Sequence, residues 1–152
     1  MRHAVLDPGT HTKRSSAGLL LLRATLGSMM AAGHGWGKLS GFAAGSASFP
    51  DPLGIGHAAS MAGAVGAEFF CSILVVLGLG TRLAVLPLVF TMAIAAFVIN
   101  GGQPWGEIEF PLLYLVPFAA LAFTGAGAYS LDALLWRLLR PPPVGHGPSP
   151  RP

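Results

Sequence analysis

The sequence predicts an all-α fold, an integral membrane four-helix bundle. Three observations carry this expectation: scarce charge, four apolar stretches long enough to cross hydrocarbon, and basic residues gathered at alternate connections. Of 152 residues, 53% are hydrophobic and only 10% charged, and the mean hydropathy is +0.63. A soluble domain carries about 25% charged residues to cover its surface. This chain has too few to do so, and its length allows one domain.

The segment 1–15 is polar and basic, with Pro8-Gly9 marking a turn and Lys13-Arg14 ahead of the first apolar run. It is expected to be a cytoplasmic N-terminal segment. The domain proper is expected over 16–138, with helices at about 16–36, 57–79, 83–99 and 110–127. A spanning helix needs about 20 predominantly apolar residues, and the first stretch reaches that only with its glycine-rich end. Met30-Ala31-Ala32 is weakly like a signal-cleavage site, but Arg23 inside the run and the apolar residues beyond it favour a retained helix.

Gly41 to Gly56 contains Pro50-Asp51-Pro52 and reads as an extracytoplasmic loop, because Pro-x-Pro stops a helix. Gly80-Thr81-Arg82 makes a tight turn, and Asn100 to Pro104 forms the next loop. Pro87 and Pro117 fall inside crossings, where neighbouring helices can satisfy the freed carbonyls. Ser130 to Arg140 places Leu131, Leu134, Leu135 and Leu138 on one face, a short amphipathic helix suited to a membrane surface. The remainder, 139–152, is Pro-rich and expected to be disordered.

Topology follows from the cations. Lys13 and Arg14 precede the first crossing, Arg82 closes the turn after the second, and Arg137 and Arg140 follow the fourth. Positive residues stay inside, so both termini and the Gly80–Arg82 turn are expected in the cytoplasm. This also accounts for the net charge of +3. Nucleic-acid binding is not expected, since no basic stripe with interleaved aromatics exists. The lone cysteine, Cys71, excludes an internal disulfide and any dithiol motif.

Ionisable residues inside crossings are costly and are functional candidates by default. Arg23, Gly27, Met30 and His34 share one helical stripe, with Lys38 slightly rotated. Glu68, in the middle of the second crossing, lies about 8 Å deeper than Arg23 by helical rise and is the expected partner of that stripe. The pair reads equally as a structural ion pair or as a centre for ligand or proton handling. Glu68, Arg23 and Glu109 are therefore the catalytic candidates. His34, Trp36, Lys38 and Arg82 are the candidates for ligand or partner contact.

Small residues spaced by four, Gly27, Ala31 and Gly35 against Ala59, Gly63, Ala67 and Cys71, suit close packing of the first two helices. Trp36 and Trp105 also suit interfacial anchoring. No zinc spacing, phosphate loop or triad is present, so no metal site is expected. His34 and His57 do not make a good haem pair, because ligation by two helices needs facing histidines at one depth. A quinone is the more plausible cofactor: His34 or Lys38 would donate to its carbonyl and Glu109 would handle protons.

Several pieces then resemble the DoxX family of small four-helix bacterial membrane proteins. They are Leu22-Arg23 with Gly27, Gly33-His34-Gly35-Trp36-Gly37-Lys38-Leu39, Ala67-Glu68, and Leu77-Gly78-Leu79-Gly80-Thr81-Arg82-Leu83-Ala84. The last is Gly125-Ala126-Gly127-Ala128-Tyr129-Ser130-Leu131-Asp132, and the likeness runs from Gly18 to Leu138. The resemblance implies a multi-pass protein of the bacterial inner membrane. It implies a membrane subunit or anchor of a quinone-linked redox system, partnered by a soluble or membrane oxidoreductase subunit. Distant relatives imply the alternative, a non-catalytic assembly factor or a receptor for a partner protein. Arg23, Lys38, Glu68 and Arg82 are family-like positions with no catalytic assignment, and the family implies no role for His34. Catalysis by the chain itself and a homo-oligomeric state both stay open.

Overall fold

A computed structural model describes residues 8–9 and 11–139. The expectation of disorder for the tail falls, from residue 140 onward, outside the described residues, as do residues 1–7. Within them lie four helices long and apolar enough to cross a membrane: α1 (Lys13–Ser40), α2 (His57–Leu77), α3 (Thr81–Ile99) and α4 (Trp105–Thr124). A fifth, α5 (Leu131–Leu139), follows. The described residues contain no strand. The protein is an all-α bundle spanning the membrane several times.

Each spanning helix packs on its neighbour in sequence, α1 on α2, α2 on α3 and α3 on α4. Such connectivity follows from the short joints between α2, α3 and α4. The shared core is Met30, Val75, Val85, Leu88, Met92, Phe118 and their neighbours. Leu21, Phe97, Leu113, Val116 and Phe123 point outward. In water that would be a defect; in hydrocarbon it is the solvated surface.

The bounds of two helices, α1 and α4, differ most from the sequence expectation. α1 begins at Lys13 rather than near residue 16 because Thr12 Oγ1 caps it, accepting from the Ser15 N–H at 3.2 Å. It also continues to Ser40 through the glycine-rich stretch. α4 starts at Trp105, not near residue 110, and ends at Thr124. Glu107 and Glu109 suggested a loop, yet an acidic first turn favours a helix start through the macrodipole. Gly125, at φ 78°, ends α4.

The joint between α2 and α3 is short because two glycines adopt left-handed conformations, Gly78 at φ 66° and Gly80 at φ 57°. The Leu79 N–H returns to the Leu74 carbonyl at 2.9 Å, closing the end of α2.

Three of the spanning helices contain a π-helical turn: Ala31–Gly35 in α1, Gly66–Cys71 in α2 and Ile94–Ile99 in α3. Such turns widen the helix locally and are frequent at functional sites. The first two pack against each other. Between α1 and α2, Phe42–Gly45 and Ser46–Ser48 form single helical turns before an irregular stretch leads to His57.

Candidate functional site

Among the described residues the buried charged ones, Arg23, Glu68 and Asp132, fall into two separate groups. The first sits where α2 turns into α3. Arg23 is 1% exposed, and its guanidinium donates to the carbonyls of Val75 (3.3 Å), Val76 and Tyr129. Val75 and Val76 belong to the last turn of α2, whose carbonyls have no partner within the helix. A cation also complements the negative end of the helix dipole there. This corrects the expected Arg23–Glu68 pair. Glu68 lies seven residues before Val75, about 10 Å away along the axis, and the terminal carbonyls claim the guanidinium first.

Asp132, at the start of α5, completes this group. Its carboxylate accepts from the N–H of Gly80 at 2.6 Å and of Thr81 at 3.0 Å. Its own N–H donates to the Gly78 carbonyl at 2.8 Å. Gly80 has no side chain to cap α3, so Asp132 supplies the cap from 52 residues away. Arg82 donates to the Phe123 carbonyl at 3.3 Å, at the end of α4. Everything here ties helix ends together.

The second group lies toward the other end. Gly35 of α1 is buried against α2, where a Cβ would stand 2.7 Å from the Glu68 carbonyl carbon and oxygen and from Phe69 Cα. Only glycine permits backbones this close. The approach brings Lys38, one turn further on, into an ion pair with Glu68 Oε2. The Glu68 side chain is 5% exposed and that of Lys38 26%. Among the described residues no other ion pair is formed.

This pair lines an open-sided cavity of about 510 Å³ between α2, α3 and the stretch before α2, several of whose walls, Leu53, Ile55 and Phe90 among them, are exposed at the surface of the bundle. Ala59, Gly63 and Ala67 form its α2 wall, Pro87, Phe90 and Ile94 its α3 wall, and Phe49, Leu53 and Ile55 a third side. The small-residue stripe of α2 therefore does the expected job over only part of its length. Gly27 and Gly35 of α1 do press on α2, but a Cβ on Gly63 would meet nothing within 4 Å. The stripe divides: Ala59 and Gly63 are exposed and leave room, whereas Ala67 is buried and Cys71 packs on the core as expected.

The third side is held in shape by Asp51. Its carboxylate accepts from the Ile55 N–H (3.1 Å), the Gly56 N–H (2.8 Å) and the Ser60 hydroxyl (2.6 Å). His57 Nδ1 lies 2.6 Å from the Phe49 carbonyl oxygen. The Ser60 hydroxyl bond chiefly, with the two backbone N–H groups and the nearby His57, holds the Asp51 carboxyl below the usual carboxylate range.

The remaining sequence candidates lie apart from the cavity. His34 packs on α4, its ring centroid 5.3 Å from Phe110 and 5.7 Å from Tyr114. Trp36 is exposed, with its ring 6.0 Å from Phe69. Glu109 is exposed and does not line the cavity. Arg82 belongs to the helix-end group. Sequence reasoning missed Asp132 as a cap, although Gly80 before a helix start signals that a partner must come from elsewhere. It also missed the Phe49–Ile55 wall. Among the described residues no three of His, Cys, Asp and Glu group so as to hold a metal ion.

Comparison with curated proteins and with solved structures found no match. The model of the DoxX family matches residues 18–101, from the first turns of α1 to just past α3, including Arg23, Gly35, Lys38, Glu68 and both glycines of the turn before Thr81. With more than half of its length matched in this way, the chain belongs to the DoxX family.

Proposed function

We propose that the chain is the membrane subunit of a quinone-linked redox system, and that the cavity headed by Lys38 and Glu68 seats the quinone ring. One observation carries the reading: an ion pair whose carboxylate is buried lines an otherwise apolar, open-sided cavity of about 510 Å³. Sites of about 300 to 1,000 Å³ with apolar walls and a few convergent polar groups are typical for ligands of this size. The Lys38 ammonium would donate to a ring oxygen, and the Glu68 carboxylate would take or return the proton of the reduced form. Glu109, exposed and off the cavity, has no part in this version of the site.

Lys13, Arg14, Arg82 and Arg137 all lie at the end of the bundle that holds the α2–α3 turn. The positive-inside rule puts that end, and both termini, in the cytoplasm. In a bacterial inner membrane the cavity would then open in the outer half of the bilayer, within reach of membrane quinone. A soluble or membrane oxidoreductase subunit would be the electron-transfer partner.

The test is binding of a short-chain benzoquinone to the purified protein, followed by titration. Glu68→Gln should weaken binding by about tenfold while the protein stays in the membrane, as expected for loss of one charged hydrogen-bond partner. Equal binding by wild type and variant removes Glu68 from the site. Absence of quinone binding together with a stoichiometric protein partner would favour the assembly-factor alternative.

A further inference from the structure

The head of the cavity carries no net charge. Of the residues that line it, Lys38 and Glu68 alone are ionisable, and the other polar side chains are the hydroxyls of Ser60 and Thr91. Lys38 spends one of its three donors on Glu68 Oε2. Glu68 Oε1 receives no hydrogen bond from a described residue. A ligand therefore meets spare donors and a spare acceptor side by side, on an otherwise largely apolar lining.

That arrangement discriminates by charge. A phosphate brought beside Lys38 would also be brought beside Glu68, whose carboxylate has already matched the ammonium. In a low-dielectric setting the repulsion is not screened as it is in water. A neutral headgroup loses far less hydration on entry and can use both the spare donor and the spare acceptor. A volume of about 510 Å³ has room for a ring or compact headgroup and a run of one chain, and Asp51 holds the Ile55–Ser60 side of it in shape.

Building on the ligand-pocket reading above, we propose that the Lys38–Glu68 pair is a charge filter, admitting uncharged single-chain amphiphiles and rejecting charged ones of either sign. The ligand class is a neutral headgroup bearing a hydrogen-bond acceptor next to a donor, on an apolar tail.

The experiment is native mass spectrometry of the full chain in neutral detergent. Four probes compete at equal concentration: a short-chain benzoquinone, a monoacylglycerol, lysophosphatidylglycerol and an alkyltrimethylammonium. Wild type should retain the neutral probes over the charged ones by about tenfold or more, since juxtaposed like charges oppose binding. Glu68→Gln leaves Lys38 unmatched and should raise retention of lysophosphatidylglycerol by about tenfold, while Lys38→Met should do the same for the ammonium. Because the two variants act in opposite directions, general damage cannot imitate the pattern. Monoacylglycerol retained without benzoquinone would support the filter and overturn the quinone reading. Lysophosphatidylglycerol retained equally by wild type and Glu68→Gln, or no neutral probe retained by wild type, would overturn the filter.

Discussion

Asp132 caps a helix to which it is not adjacent: its carboxylate lies 3.0 Å from the Thr81 nitrogen at the start of α3. It reaches the Gly80 nitrogen as well, and it is 2% exposed. The short helix α5 is thereby fastened under the α2–α3 turn, and its outward Leu134 and Leu138 are left on the surface. Two elements of sequence that look independent, the glycine turn and the Ser-Leu-Asp ending, complete one another.

Removing this cap should be costly to stability and neutral to the cavity. Asp132→Ala should lower unfolding stability in detergent by about 1–2 kcal/mol, the usual cost of a lost cap. Asp132→Asn should recover part of the loss, since its amide oxygen still accepts. Thermal unfolding of the three proteins checks the order.

Arg23 calls for the same measurement with a different expectation. Lysine cannot span the Val75, Val76 and Tyr129 carbonyls in one plane, so Arg23→Lys should not behave as a conservative change. Loss of the charged bonds should cost about 2–3 kcal/mol in Arg23→Ala, scaled by what lipid and water recover. Quinone binding by the folded fraction should be unchanged, because Lys38 lies 15 residues further along α1, about 22 Å by helical rise. Lost binding at full stability would return Arg23 to the functional group.

Gly35 and Gly37 make a matched pair of substitutions. A Cβ at Gly35 would meet backbone atoms of Glu68 and Phe69 at 2.7 Å, whereas at Gly37 it would meet nothing within 4 Å. Gly35→Ala should force α1 and α2 apart at a cost of about 1–3 kcal/mol and weaken ligand binding by separating Lys38 from Glu68. Gly37→Ala should do neither. Binding and unfolding measured on both variants would reveal whether the close approach is what makes the ion pair.

Asp51 gives the wall of the cavity a defined dependence on acid. Its folded-state pKa is depressed, so its contribution is fully present above the unfolded value of about 4. That contribution is lost as pH falls through the depressed folded value. The wall should therefore stay closed from neutral pH down to about 4 and loosen below it. Hydrogen exchange at the Ile55 and Gly56 amides, followed with falling pH, should show protection disappearing in that window. In Asp51→Asn the protection should be weaker at neutral pH and should not change through the window.

The cavity was hidden in the sequence for a physical reason. Ala59, Gly63 and Ala67 have the spacing of a packing face, and a packing face and an empty wall differ only in what stands opposite. Here α3 turns Pro87 and Phe90 toward them without filling the gap. The pairing of Lys38, rather than Arg23, with Glu68 was hidden likewise. Helical rise gives depth along one helix, but the offset between two helices is decided by where their backbones touch, and those points are Gly27 and Gly35.

Fold class, by contrast, was legible from the chain alone. A backbone in hydrocarbon must satisfy its own hydrogen bonds, so long apolar stretches between glycine and proline breaks admit helices and little else. The buried charges were equally plain as exceptions, because each is expensive. Which carbonyl, carboxylate or cavity compensates each charge was decided only by tertiary structure, since the partners come from helices whose relative positions no single stretch of sequence encodes.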